Sequence, residues 1–420
     1  MRNNYICALD LGSSKIACAL AELKKGGVTE NIFLESVPSK GIKKGRLIDI
    51  QEISASLDRL LEIVKKKSGR NIHFVYINIY GQDVSTRHSQ ATIPLAERGN
   101  KLITLSDVRR VTEEARILGS SLEEEIIQTI PFSYTVDDRD NITNPLGLYG
   151  HKLGVDLFLI LVKSSYLQSI ERLFNRLGYE IKHLFLSGLA TSKVVLNKDS
   201  IKNGLYIFCD IGADLTEIVV FEDAILKHIE TLIVGGDDLT EEIAQSFKIP
   251  FELAEEIKRS LAYVVDEGKT QEDKEVMIKK DGCYKPISQA KVREVLVSKT
   301  ELICRSIKER LDEIVAKDKA INGIFVGGRT VLIGGFLEIM ETILGVPIKM
   351  IVGSQLPFIF SKRIDTVSST PRFLNYATSL GILYEAMALS KEKEVFSPSY
   401  PKSLIAKTIS RFKEIYQEYF

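Results

Sequence analysis

Asp10-Leu-Gly-Ser-Ser-Lys15 is the stretch on which the reading of this chain turns. It follows an apolar run of strand formers, Tyr5–Leu9, and precedes a second, Ile16–Leu23. Strand, tight polar turn, strand is a β-hairpin rather than a strand feeding a helix. About 200 residues later the pattern returns: Leu205–Cys209 runs into Asp210-Ile-Gly-Ala-Asp214, and Ile218–Phe221 resumes the apolar run. A third glycine turn, Gly327-Gly-Arg-Thr330, follows the strand-like Gly323–Val326, and Gly235-Gly236 lies between them. A repeat of this period implies two domains of one design, not a solenoid.

The chemistry of such turns suits phosphate. Glycine lets backbone N–H groups approach phosphate oxygens, and the turn forms an anion nest. The leading Asp suits Mg²⁺, which takes one or two carboxylates beside phosphate oxygens and retained water. Taken singly, an Asp-x-Gly is an ordinary hairpin turn; two at matching strand ends describe a clamp that closes on a triphosphate from both sides.

Composition sets the bounds. At 420 residues and 45% hydrophobic content the chain is long enough for two to four globular domains. Lys plus Arg and Asp plus Glu each number 56, and a net charge of zero argues against a general nucleic-acid binder. The five cysteines and five histidines are scattered, with no C-x-x-C, H-x-x-x-H or H-E-x-x-H spacing. That disfavours a disulfide framework or a transition-metal site and fits a reducing compartment. The opening Met-Arg-Asn-Asn runs into Tyr5–Leu9, too short for a signal-peptide core, and no segment approaches a membrane span. The expected location is cytoplasmic unless something anchors the chain peripherally.

Between the turns, the spacing of Ile53, Leu57, Leu60, Leu61 and Val64 predicts an amphipathic helix over Gln51–Lys66, followed by a buried strand, Phe74–Tyr80. Gln82–Val162 reads as a small α+β module. It has a helix capped at Ser106-Asp107, strands at Ser89–Leu95, Ile126–Tyr134 and Val155–Val162, and a loop at Asn144-Pro-Leu-Gly147. Lys248–Lys319 is charged and mostly helical, with a hairpin over Lys274–Lys285. At the end, Leu404, Ile405, Thr408, Ile409, Phe412, Ile415, Tyr416 and Tyr419 share one helical face, with Lys407 and Arg411 off it. By its residues this is an interfacial membrane anchor or a helix docked on the body or a partner.

Asp10-Leu-Gly-Ser-Ser-Lys15-Ile-Ala resembles the first phosphate loop of the actin-like ATPase superfamily, and in particular of the FtsA family of bacterial cell-division proteins. Ile77-Asn-Ile-Tyr-Gly81, Leu105-Ser-Asp-Val-Arg-Arg-Val111, Ile130-Pro-Phe-Ser-Tyr-Thr-Val-Asp137 and Asn144-Pro-Leu-Gly-Leu-Tyr-Gly150 are similar to that family's segments. So are Gly235-Gly-Asp-Asp-Leu-Thr240 and Ala254-Glu-Glu-Ile-Lys258. The resemblance covers nearly the whole chain.

It implies an α/β, two-lobed actin-like (ribonuclease H-like) fold with an inserted α+β subdomain and a C-terminal amphipathic helix. The first lobe would take residues 1–82 and 162–195, and the insert 83–161. The second lobe would take 196–235 and 321–389, with a helical subdomain at 236–320, a linker at 390–402 and a membrane-targeting helix at 403–420. The implied work is an ATP-binding scaffold that polymerises with other copies of itself at the cytoplasmic membrane face of the division site. It would contact lipids through Leu404, Ile405, Lys407, Ile409, Arg411, Phe412, Ile415, Tyr416 and Tyr419. It would also bind the C-terminal peptide of the tubulin-like FtsZ, along with other division proteins. By match, Gly12, Ser13, Ser14 and Lys15 meet the phosphates, and Asp10 and Asp210 hold Mg²⁺. Gly212, Ala213 and Asp214 form the second loop. Gly235, Gly236, Glu255 and Lys258 surround phosphates and ribose, and Gly327 and Gly328 border the adenosine. Rival readings are a phosphotransferase of the superfamily and a cell-shape or pilus-assembly homologue.

Two departures stand out. The family's second loop reads close to Asp-x-Gly-x-Gly-Thr-Thr-Asp; here Asp214 and Leu215 replace the Gly and Thr, and Glu217 ends the loop. A carboxylate about 4 Å from a phosphate charge costs about 4 kcal/mol at an effective dielectric of 20. Arg329 stands where a small residue is usual: either it crosses the cleft to Asp214 or the phosphates and restores the balance, or it points to solvent and the site binds nucleotide poorly. No residue that positions water is identifiable by matching, so hydrolysis is expected to be slow or absent.

Overall fold

The computed structural model describes residues 5–24, 29–96, 99–196, 201–261, 275–280, 283–353, 356 and 371–395. The expected membrane-targeting helix, with every residue named for it, lies outside them.

The chain opens with β1 (Tyr5–Leu11), β2 (Lys15–Leu23) and β3 (Thr29–Pro38), then a short hairpin, β4 (Ile42–Lys43) and β5 (Arg46–Leu47), then α1 (Ile50–Ser68) and β6 (Phe74–Ile79). The insert comprises β7 (Val84–Pro94), β8 (Lys101–Leu102), α2 (Leu105–Leu118), β9 (Glu124–Val136), β10 (Arg139–Ile142), β11 (Tyr149–Gly150) and β12 (Lys152–Lys163). The first lobe resumes with α3 (Ser164–Arg176), β13 (Glu180–Leu186) and α4 (Ser187–Val195). The second holds β14 (Leu205–Ile211), β15 (Thr216–Glu222), β16 (Ile225–Leu232), α5 (Gly236–Phe247) and α6 (Phe251–Leu261). It continues with β17 (Glu275–Lys280), β18 (Cys283–Ser288), α7 (Gln289–Ile314), β19 (Ile321–Gly327), α8 (Phe336–Leu344) and β20 (Ile348–Met350). Last comes α9 (Ala377–Val395).

The internal duplication is exact at the hairpins. One five-stranded sheet runs β3-β2-β1-β6-β13 and the other β16-β15-β14-β19-β20. In each, two antiparallel hairpin connections are followed by parallel pairings. Leu11 pairs Ile16, and Ile211 pairs Thr216, so both turns leave their sheets at the same point.

Local signals account for the elements that carry the site. In α1, Asp49 accepts from the N–H groups of Gln51 and Glu52, and Gly69 closes the helix at φ 66°. The five residues spaced for one face, Ile53 to Val64, are all buried, each worth about 1.5–3 kcal/mol. In α2 the cap is Thr104, not Ser106-Asp107. Asp107 acts from the third helical position, its Oδ2 accepting from the Thr104 N–H at 3.0 Å and the Thr104 hydroxyl at 2.6 Å. The insert is a four-stranded antiparallel sheet, β10-β9-β12-β7, with α2 across one face and its own core around Val111, Leu157 and Leu159. The expected hairpin over Lys274–Lys285 is present as β17 and β18.

Two boundaries differ from the sequence reading. Helix α9 runs to Val395, into the stretch read as a linker, because Ser390–Val395 is made of residues a helix tolerates and the first breaker is Pro398. It also leaves the second lobe, where the resemblance places residues 321–389. It returns to the first sheet and packs on β1, β2, β6 and α4. Thr378 meets Thr191 at 3.1 Å, and Glu385 meets Lys193 at 2.6 Å.

Candidate functional site

The β1–β2 and β14–β15 turns line one cavity of about 280 Å³ between the two sheets. They are built alike. The Gly12 N–H donates to Lys15 O and the Gly212 N–H to Leu215 O, both at 2.9 Å. A Cβ on Gly12 would stand 2.8 Å from Lys15 O, so the tight turn requires glycine there. The Gly236 N–H and the Thr330 hydroxyl both donate to Gly212 O, at 3.0 and 2.7 Å, which ties the start of α5 and the third glycine turn to the second loop.

Carboxylates form the floor. Asp10 is buried and accepts from Lys15 Nζ at 2.8 Å and Asn78 Nδ2 at 3.1 Å. Asn78 also donates to Ser187 Oγ at 2.9 Å and accepts from the Leu11 N–H at 2.6 Å, which fixes the strand end bearing the first loop. Burial pushes the Asp210 carboxyl up to about 6; Asp10 adds to the rise and Lys15 opposes it. Glu217, paired in register with Asp210, accepts from the Gly188 N–H at 3.0 Å through Oε2, while its buried Oε1 has no partner. Burial first, then the Asp210 charge, hold it well above the usual carboxylate range.

This donor set fits a hydrated Mg²⁺ better than a site with many protein ligands. Among the described residues no group of three or more His, Cys, Asp or Glu is arranged to hold a metal ion. A carboxylate beside Asp210 that raises its proton affinity suits a cation that keeps its water and takes phosphate oxygens. Asp10 and Asp210 are the residues that would hold it.

Fourteen of the sixteen residues singled out for nucleotide or metal line the cavity. Gly235 and Gly327 do not: Gly235 caps α5, its N–H donating to Asp238 Oδ2 at 2.8 Å, and Gly327 packs on Phe208 and Ile351. Lys258 and Glu255 turn their polar ends onto the protein. Lys258 Nζ donates to Gly236 O at 2.7 Å and to Thr240 Oγ1 and Glu255 Oε2 at 2.6 Å each.

Of the two alternatives for Arg329, the pairing with Asp214 is not formed. The Asp214 carboxylate accepts from the Lys44 backbone N–H, on the β4–β5 turn of the first lobe. Arg329 stands instead beside Arg259 and Glu255; partial burial, then Arg259, lower its guanidinium's proton affinity. The second loop's tip reaches across the cleft to the first lobe.

Sequence matching left out Asn78, Tyr80, Ser187, Glu217 and Asp237, all on the cavity wall. Asn78 did carry a signal: a polar residue in a strand otherwise buried and apolar. The Tyr80 and Ser13 hydroxyls hydrogen-bond to each other at 2.9 Å, and burial, then Asp214, push the Tyr80 phenol well up.

Residues 81–161 match the SHS2 domain inserted in FtsA, and residues 207–381 match cell division protein FtsA. The chain belongs to the FtsA family. Cell division protein FtsA of Pseudomonas aeruginosa is 24% identical over 420 residues, with 97% of each chain covered. Among solved structures, the PilM–PilN type IV pilus biogenesis complex matches with a TM-score of 0.63 at 14% identity, covering 92% of this chain and 99% of that one. MreB5 of Spiroplasma citri bound to AMPPNP matches with a TM-score of 0.52 at 12% identity, covering 94% and 100%. At such identities the likeness is one of fold, and the fold of this FtsA-family chain is actin-like. Among the described residues, no helix is long and apolar enough to cross a membrane.

Proposed function

We propose that this chain binds ATP with Mg²⁺ in the cleft between its lobes and works as a polymerising scaffold. In this reading it links the FtsZ ring to the cytoplasmic membrane face at the division site. The observation that carries the nucleotide part is the pair of matched glycine loops on one cavity, with Asp10 and Asp210 beneath them. Gly12 to Lys15 and Gly212 to Asp214 bind the phosphates, and Gly236 and Gly328 close the wall toward the nucleoside. The metal, when bound, neutralises phosphate charge; the chain's own residues orient the nucleotide and favour the closed arrangement of the lobes.

Membership in a cell-division family supports the division role, and the amphipathic spacing of residues 403–420 supports peripheral attachment. Contacts with FtsZ, with other copies of the chain and with other division proteins belong to the same proposal. Sedimentation with liposomes of the full chain and of a chain lacking residues 403–420 tests the tether. Equal sedimentation of both would remove it. Calorimetric titration with Mg-ATP tests the cleft, and capture by the FtsZ C-terminal peptide tests the partner.

A further inference from the structure

We propose that the second glycine loop is a latch between the lobes, holding the cleft closed through protein contacts of its own. Asp214, Leu215 and Glu217 carry it. All three are buried, and each meets a different element of the first lobe. The Asp214 carboxylate accepts from the Lys44 N–H on the β4–β5 turn. Leu215 lies over Gly81, where the insert is rooted: a Cβ on Gly81 would stand 3.4 Å from Leu215 Cδ1. Glu217 Oε2 accepts from the Gly188 N–H at 3.0 Å, in the first turn of α4, where a helix leaves its amides without partners. Asp214 and Leu215 are also the positions at which this loop departs from the Gly and Thr of the family's pattern. A glycine at 214 has no side chain to reach the Lys44 amide.

The matching loop of the first lobe turns its side chains inward. Ser13 bonds Tyr80 at 2.9 Å and Lys15 bonds Asp10 at 2.8 Å, both within that lobe, and Ala17 stands where Glu217 does in the second hairpin. The two loops share a backbone design, but the second reaches across the cleft. What it reaches is held in place beforehand. Lys44 sits in the left-handed conformation at φ 51°, and Gly45 beside it packs on Tyr80 and Gly81 while its carbonyl accepts from the Tyr166 hydroxyl. Arg46 holds Asp83 at 2.6 Å. A donor fixed in this way loses little freedom when the lobes meet. A hydrogen bond from a buried amide to a carboxylate shifts an equilibrium by about tenfold or more, and the contacts of Leu215 and Glu217 act in the same direction. Lys43 and Glu241, 3.9 Å apart and exposed, add little. Every one of these contacts joins protein to protein, so closure does not depend on a ligand bridging the loops.

The test is amide hydrogen exchange of the full-length chain without nucleotide, which keeps its outcome separate from the titration that tests the nucleotide reading. The parent is compared with Asp214→Ala, and with Asp214→Asn, which keeps an acceptor for the Lys44 amide. The Lys44 and Gly188 amides are the readouts, and those of α1 report that the first lobe is folded. Both readouts are expected to be protected in the parent. Asp214→Ala is expected to speed exchange by about tenfold or more at Lys44 and at Gly188, whose own acceptor is intact, with α1 unchanged. Asp214→Asn should bring both to within about threefold of the parent. Faster exchange at Lys44 alone overturns the latch and leaves a local turn contact. A parent whose two amides exchange freely until Mg-ATP is added overturns it as well. Should Asp214→Ala not fold, the parent alone decides. Its radius of gyration by small-angle scattering should be the same with and without Mg-ATP, and a contraction on adding Mg-ATP refutes the latch.

Discussion

Glu217 carries a carboxylate oxygen that is buried and has no partner, opposite Asp210 in the second hairpin. In the first lobe the matching place, opposite Asp10, is taken by Ala17. Burial and the Asp210 charge favour the neutral form of such a group, because ionising it there with one hydrogen bond is costly. The linkage has one sign. With the folded value above the ordinary one near 4.5, the stability it contributes is complete below that ordinary value and is lost as pH climbs through the raised one. Asp210 titrates in the same direction at about 6, so the difference between the parent and Glu217→Gln isolates Glu217. We expect the variant to melt higher than the parent at alkaline pH, with the gap closing as the pH is lowered. Parallel melting curves across that range would contradict this assignment.

At the scale of elements, the β4–β5 hairpin joins what it does not itself contain. Lys44 reaches the second loop, Lys43 reaches Glu241 on α5, and Arg46 grips Asp83 through two bonds of 2.6 and 2.9 Å. Asp83 and Lys163, which pair at 3.2 Å, are the two places where the insert leaves and rejoins the lobe. Gly45 and Gly81 touch backbone to backbone: at φ 75° a Cβ on Gly45 would stand 2.5 Å from Tyr80 O. Gly45→Ala is expected to cost about 1–3 kcal/mol in chemical denaturation and to speed hydrogen exchange at both roots of the insert. Within the insert, Asp107 is buried, which alone would raise its carboxyl, yet Lys101 and Thr104 hold it at about 2. Its stabilisation is complete above about pH 4 and is lost as the pH falls toward 2. Asp107→Ala should cost about 1–2 kcal/mol at neutral pH and little in strong acid.

These elements also mark what could be read from sequence. The two hairpins and α1 were legible because turn chemistry and apolar spacing are local, and the residues predicted to face inward on α1 are the buried ones. Strand β3 was not, since only Val37 in it is fully buried and no alternation shows. In the site, the loops were legible by motif, but the partner of Asp214 was not. A backbone N–H leaves no trace in residue identity, and the contact joins positions 170 apart.

For the whole molecule, the return of α9 matters most. Leu380, Ile382, Leu383, Ala386 and Met387 are buried where the first sheet, α4 and α9 meet. Nothing in their order says which sheet they cover, because that packing is wholly non-local. Gly381 lies against the Ala190 backbone, too close for a Cβ. Gly381→Val is expected to force α9 off α4 at a cost of about 1–3 kcal/mol, read as a lower denaturation midpoint with lost helix–sheet contact. A chain ending at residue 376 should not fold, whereas one ending at residue 395 should; a soluble, cooperatively melting 1–376 would refute this role for α9.

The same return fixes where a mechanical load would enter. Whatever is attached beyond Val395 pulls on a helix seated against β1, β2 and β6, the sheet that also roots the insert. Tension on that end is carried as shear along α9 into the first lobe, without crossing the cleft. The second lobe lies off that path, joined to the loaded one through α4 and the β4–β5 hairpin.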